Sequence, residues 1–309
     1  MASAMQPLDA VKAMGLTGQW RIAAHERQIL EQMCNVSTEE LMTNLLPQAK
    51  ELATAPISEF YVGAVLLSDA GNLYFGANQE FGGQAINASI HAEQCGLCNL
   101  FHDGQKKVVS IAVTDAPCGH CRQFLAETDK GLDMRVLVSS KTPLPLTELL
   151  PHAFVPADLD NSQPLLAHPR QRLEAAGAYE TLVTQPDIKG LDLALTKAVV
   201  AASFSYAPYS GSYAAVTMSL KDGRVIEGRY LENAAFNPAL PPAQAALIQP
   251  MVNGATVADV QCVVLAEVVQ GRPQVSHKDA TVTLLQEQMP HAAIVYQPLQ
   301  PATAVPTST

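Results

Sequence analysis

The chain has 309 residues, a formal net charge of −10 and 48% hydrophobic residues. That is enough apolar material for ordinary buried cores, and the length favours two domains. The acidity, without any Lys/Arg cluster, argues against a nucleic-acid binder, because phosphate backbones are gripped by basic grooves. No apolar run reaches the ~18–20 residues that span a bilayer, so no membrane partner is expected.

The opening MASAMQPLDAVKAMG has neither a secretory pattern nor an Arg-rich import pattern, which makes the cytoplasm the expected compartment. In such a chain the six cysteines point to metal or redox chemistry rather than a disulfide framework. Trp20 to Leu52 reads as helix, with Ser37 and Glu40 forming a capping-box pattern. Phe60 to Leu67 is strand-like, Ser68-Asp-Ala-Gly-Asn72 supplies a turn, and Leu73 to Gly76 returns as a second strand. Ile86–Leu100 reads as helix, Val108–Thr114 as a buried strand, Cys118–Asp129 as helix and Met134–Ser139 as strand. This alternation predicts a three-layer α/β unit. Six prolines then punctuate residues 141–179, and the stretch from Gln297 reads as a frayed tail.

An internal repeat organises the whole. Ala55-Pro-Ile-Ser58 recurs as Ala207-Pro-Tyr-Ser210, an offset of 152 that also carries Gly71 to Gly223, Gly76 to Gly228 and Glu80 to Glu232. Two residues are then dropped, so that Asn87 meets Asn237 and Leu97 meets Leu247. Val108–Asp115 has its counterpart in Val260–Glu267. The implied domains are a helical extension (1–36), a catalytic domain (37–150), a Pro-rich linker (151–180) and a diverged repeat (181–305).

The first half holds His91-Ala-Glu93 and Pro117-Cys118-Gly-His-Cys121. Thiolate and imidazole are zinc ligands, and a catalytic zinc keeps three protein ligands with a fourth position for water. Each ligand falls at a predicted helix start, where the dipole and free N–H groups favour thiolates. A zinc-bound water ionises near pH ~7. Glu93, two residues past His91, can move its protons without being a ligand. The combination H-x-E with P-C-x-x-C is a known zinc-deaminase signature. Taken alone, the Cys-x-x-Cys could equally be a redox pair or half of a structural site. His120 is expected to point away, and Cys95 and Cys98 to be core residues. The remaining histidines have no partners at ligand spacing. Pro241-Pro-Ala243 replaces the His-Ala-Glu motif in the second half, and Cys262 is the only cysteine there, so one zinc per chain is expected.

On these motifs the sequence resembles the cytidine deaminases, specifically the two-domain homodimeric type. The matching segments are residues 55–64, 74–81, 91–93, 117–124 and 232–238, spanning both halves. Ile57 stands where many relatives carry Tyr. The resemblance implies a three-layer α/β/α catalytic domain plus a zinc-less repeat of the same fold. It implies zinc on His91, Cys118 and Cys121, with Glu93 shuttling protons as cytidine and deoxycytidine are hydrolysed in pyrimidine salvage. It also implies substrate contacts from Phe60, Asn78, Gln79 and Glu80, and from Ala235 and Phe236 of a partner chain. A carboxylate at Glu80 suits a free hydroxyl and repels phosphate. Without the resemblance, Asn78 reads as a strand-end turn residue, and Phe60 and Phe236 as core. Two other functions share the zinc motif: a deaminase of RNA or DNA, and a non-catalytic zinc-stabilised assembly protein.

Overall fold

The computed structural model describes residues 5–139, 141–185, 188–269 and 275–302. Two compact units emerge: residues up to Ala167 together with Asn233–Pro238, and His168–Glu232 together with residues from Ala239 onward. The stretch 151–180, read as a linker, divides between them.

In the first unit, α1 (Pro7–Ala13), β1 (Arg21–Ile22), α2 (Ala24–Cys34), α3 (Thr38–Asn44) and α4 (Leu46–Glu51) precede a hairpin of β2 (Gly63–Ser68) and β3 (Leu73–Ala77). Then come α5 (Ala92–His102), β4 (Val108–Val113), α6 (Gly119–Ala126), β5 (Arg135–Val138), β6 (Leu144–Pro145) and α7 (Leu146–Leu149). The single helix expected over 20–52 is therefore three helices preceded by a two-residue strand. Arg21 and Ile22 pair with Tyr74 and Leu73. The sheet runs β1-β3-β2-β4-β5-β6, with β4 and β5 parallel and α6 as the connection between them. Ser37 does cap α3, and Glu40 returns the bond to its backbone N–H.

Glycines show how the layers form. Neighbouring strand residues face opposite sides of a sheet, whereas directly paired residues face the same side. A Cβ on Gly76 would lie 2.1 Å from Ala92 O of α5, and one on Gly63 would lie 2.5 Å from Lys50 N of α4. Gly76 pairs with Ala64 and Gly63 with Ala77, so the two glycines face opposite sides. One helix packs on each face, which makes three layers.

The second unit contains β7 (Leu173–Ala175), β8 (Glu180–Val183), α8 (Leu191–Ser203), β9 (Ala214–Leu220), β10 (Val225–Arg229), α9 (Pro242–Val252), β11 (Val260–Val268), α10 (Lys278–Gln288) and β12 (Ala293–Pro301). Its sheet runs β10-β9-β11-β12-β7, with β8 also on β12. Gly228 presses on α9, where a Cβ would lie 2.0 Å from Ala246 N. Ala194, Ala198, Ala201 and Ala202 of α8 share a core with Ala215, Val264 and Val295. Ala215 neighbours Val216, the residue that pairs with Gly228, so α8 covers the opposite face.

The repeat is visible bond by bond. Thr54 N donates to Asn78 O and Glu80 N to Thr54 O; Tyr206 N donates to Tyr230 O and Glu232 N to Tyr206 O. Gln79 and Ile90 exchange both backbone bonds, as do Leu231 and Leu240. The frayed tail read from Gln297 is corrected: Gln297–Pro301 belong to β12, where Leu299 to Pro301 pair with β7. Residues 1–4 of the expected extension and 303–309 of the expected tail lie outside the described residues.

Candidate active site

His91 is the N-cap of α5 and Cys118 the N-cap of α6; both have extended backbone, and Cys121 is the third residue of α6. Strand ends deliver both caps to one place, because β4 leads into α6 and the hairpin packs on α5. Cys118 Sγ lies 3.6 Å from His91 Nδ1 and 3.6 Å from Cys121 Sγ. Cys121 Sγ lies 3.2 Å from His91 Nδ1. A tetrahedral zinc with bonds of about 2.3 Å to sulfur and 2.0–2.1 Å to nitrogen holds such atoms about 3.5–3.8 Å apart. The observed triangle has the donor types and close to the edge lengths that zinc requires. Among the described residues no other group of three His, Cys, Asp or Glu meets the geometry for a metal.

The thiols differ in environment. Hydrogen bonds from Cys121 and then His91 bring the Cys118 thiol down to about 3, making it a thiolate. The same bond to Cys118, and burial, push the Cys121 thiol up. The Cys118 hydrogen bond raises His91 against the opposing effect of burial.

Glu93, in the first turn of α5, is 4% exposed. Burial raises its carboxyl above the ordinary range, opposed by its backbone amide and by a hydrogen bond with Cys121. A carboxyl so placed gives up its proton less readily than an exposed one and lies within reach of groups that could exchange it. Cys95 and Cys98 are fully buried core residues, as expected. His120, in contrast, does not point away. Its ring lies 5.6 Å from that of His91, and its Nε2 is 3.2 Å from Asn237 O.

A cavity of about 310 Å³ opens beside these groups, lined by His91, Glu93 and Cys118 and by Phe60, Asn78 and Glu80. The last three are tied together. Glu80 accepts from Ile57 N at 2.9 Å, Ser58 N at 3.0 Å and the Ser58 hydroxyl. Ser58 Oγ accepts from Phe60 N at 3.1 Å. The Asn78 amide accepts from Val62 N and donates to Phe60 O, both at 2.8 Å. Burial raises Glu80, but the Ser58 and Ile57 bonds outweigh it and hold the carboxyl below its ordinary range. Gln79 is not on this wall. It sits on the backbone bridge to Ile90, and its side chain donates to Leu52 O at 3.2 Å. Ala235 and Phe236 do not line the cavity either. Phe236 is 64% exposed, with a positive φ of 61°. Ser58, Asp115, Ile86 and Ser89 line the cavity without having been singled out in the sequence. Of these, only Ser58 gave a signal, as part of the repeated Ala-Pro-x-Ser turn.

A mixed sheet between helix layers, a His/Cys/Cys triad at two helix starts and a buried carboxylate beside it define a zinc-dependent hydrolase. Residues 36–136 and 146–282 match two family models, each described as the cytidine and deoxycytidylate deaminase zinc-binding region. A cytidine deaminase of Serratia proteamaculans (strain 568) is 40% identical over 251 residues, covering 80% of this chain and 79% of that protein. One from Vibrio parahaemolyticus is 36% identical over 275 residues, covering 89% and 88%. The solved cytidine deaminase of Mycobacterium tuberculosis is 30% identical, with a TM-score of 0.35, over 37% of this chain and 95% of that one. The chain belongs to the cytidine deaminase family, and its metal is zinc.

Proposed function

We propose that this chain hydrolyses free cytidine and deoxycytidine to uridine and deoxyuridine, in the salvage of pyrimidines in the cytoplasm. The observation that carries the reading is one cavity lined by the ligands His91 and Cys118, a buried Glu93 and the tied group Phe60, Asn78 and Glu80.

His91, Cys118 and Cys121 would hold the zinc, which would supply a Lewis acid able to make water a nucleophile at neutral pH. The water oxygen bonds to C4 of the pyrimidine as the C4–N bond breaks and ammonia leaves. Glu93 would relay the two protons of that water, one to ring N3 and one to the amine that leaves as ammonia. Phe60 presents a ring face for the pyrimidine to pack against. Glu80 has about four lone-pair sites and uses three on its turn, leaving one for a sugar hydroxyl. Asn78 keeps one N–H and one lone pair free of the two backbone bonds described above.

Selection against phosphate follows from charge. Glu80, held in its charged form, lines the cavity with Asp115, and no Lys or Arg is among its described lining residues. A phosphorylated sugar meets repulsion without a compensating cation. We further propose that two chains pair, with Ala235 and Phe236 of one covering the cavity of the other. The exposed Phe60, Tyr61 and Ile86 near the cavity are apolar surface suited to such a cover.

The test is loss of cytosine absorbance with cytidine, deoxycytidine, CMP and a cytosine-containing oligonucleotide in parallel. Turnover of the two nucleosides well above the other two is the expected result. Preference for CMP or the oligonucleotide overturns the reading.

A further inference from the structure

The segment Asn233–Pro238 comes from the zinc-less repeat in sequence, yet it packs within the first unit. Buried polar groups hold it there. Asn233 is fully buried; its Nδ2 donates to Gln123 O at 3.2 Å, and its Oδ1 accepts from Ala235 N at 2.9 Å. Ala234 N donates to the carboxylate of Glu127, also fully buried, at 2.9 Å. At its far end, Pro238 O accepts from Gln94 Nε2 and Asn237 O from His120 Nε2, each at 3.2 Å.

Those last two donors stand beside the metal ligands. Gln94 is 2% exposed, and its Oε1 accepts from the backbone N–H of His91 at 3.2 Å. One amide group therefore joins the segment to the first ligand. His120 lies between Cys118 and Cys121 in the chain, so its imidazole joins the segment to the turn that carries the other two. We infer that Gln94 and His120 are positioning residues for the zinc ligands, and that they act by gripping Asn233–Pro238 across the starts of α5 and α6. Groups that fix the orientation of metal ligands typically govern about 10–100-fold of metal affinity. The segment's value to its own chain is thus separate from any contact Phe236 makes with a partner.

The inference rests on His91, Cys118 and Cys121 holding the zinc, and the test separates the two. In the full-length protein, Gln94→Glu keeps an oxygen for His91 N but turns the donor to Pro238 O into a repelling acceptor. Asn233→Ala loosens the segment at its other end, without touching Gln94 or His120. Zinc transfer to a coloured chelator, and the visible bands of the cobalt-substituted protein, read out the site without turnover. Each variant should lose zinc about 10–100-fold faster and shift the cobalt bands. The double variant should add little, because both act through one segment. Glu127→Gln, which still offers an acceptor to Ala234 N, should retain zinc better than Glu127→Ala. Wild-type release and unchanged bands in Gln94→Glu overturn the inference, and that variant decides alone if Asn233→Ala does not fold. A wild-type chain that carries no zinc overturns the ligand assignment, and the inference with it.

Discussion

Glu93 and Glu80 are both buried carboxylates on one cavity, and their surroundings give them different work. Glu93 has few fixed donors, so burial dominates and raises its carboxyl above the ordinary range. Glu93→Gln keeps the shape and cannot exchange protons. Zinc content should be unchanged while kcat falls by about 10²–10⁴ or more, the range of a general acid–base group. Glu80 has a structural duty as well as a place on the cavity wall, and the second repeat isolates it. Glu232 accepts from Tyr209 N and Ser210 N, the repeat positions of Ile57 and Ser58, in a repeat whose sequence lacks the His-Ala-Glu and Cys-x-x-Cys motifs. Glu80→Gln and Glu232→Gln should therefore each cost about 1–3 kcal/mol in urea unfolding, but only the first should raise KM for cytidine. An unchanged KM in Glu80→Gln removes the residue from substrate binding. The pH dependence has a definite sign. The folded value of Glu80 lies below the ordinary one, so its contribution is full above the ordinary carboxylate range and lost as pH falls through the lower folded value. The stability gap between wild type and Glu80→Gln should stay constant from neutral pH down to that range and close below it.

At the level of elements, the site depends on how closely a strand approaches a helix. Gly76 on β3 touches the first turn of α5, the turn that carries Glu93 and follows His91. Gly228 makes the same approach to α9, which is capped by Pro241 and begins with Pro242 and Ala243. Gly76→Ala and Gly228→Ala should each destabilise by about 1–3 kcal/mol, because the added methyl overlaps backbone that cannot yield. Only Gly76→Ala should also weaken zinc retention; equal zinc retention in both would show that the approach does not set the ligand helix. These contrasts explain what the sequence made legible. The ligands and Glu93 stand in two short contiguous motifs, and helix caps are local chemistry, so their placement at helix starts could be read directly. The repeat was legible because the turn signals at Gly71 and Gly223 recur at a constant offset. The strand Arg21–Ile22 was hidden because its pairing is a backbone property of a two-residue edge, set by Tyr74 and Leu73 far along the chain. The tail misled by composition. Pro298 lacks an N–H, yet its carbonyl still accepts from Ala176 N, so a Pro- and Gln-rich stretch completes a strand. Asp115, Ile86 and Ser89 carried no signal, since a residue that merely lines a cavity has no local pattern.

At the scale of the whole molecule, only the first repeat carries the His-Ala-Glu and Cys-x-x-Cys motifs, while the second keeps its sheet, its turn and its Glu-Asn-Ala-Ala-Phe-Asn segment. The cavity of a single chain is lined without Ala235 or Phe236, and the ring of Phe236 stands exposed on a segment whose neighbours are fixed by buried Asn233 and Glu127. A large aromatic held outward on a rigid support is suited to entering a second copy about a two-fold axis. Covering the cavity would exclude water from the reacting centre. Complementation tests this. Chains carrying Glu93→Gln are mixed with chains carrying Phe236→Ala under conditions that exchange subunits. In the mixed dimer, the intact catalytic half belongs to the Phe236→Ala chain and receives a wild-type Phe236 from its partner. Activity should rise above that of either parent. If exchange is demonstrated and the Phe236→Ala parent is clearly impaired, yet no activity returns, Phe236 acts within its own chain. A monomer with full activity would dispose of the partner role altogether.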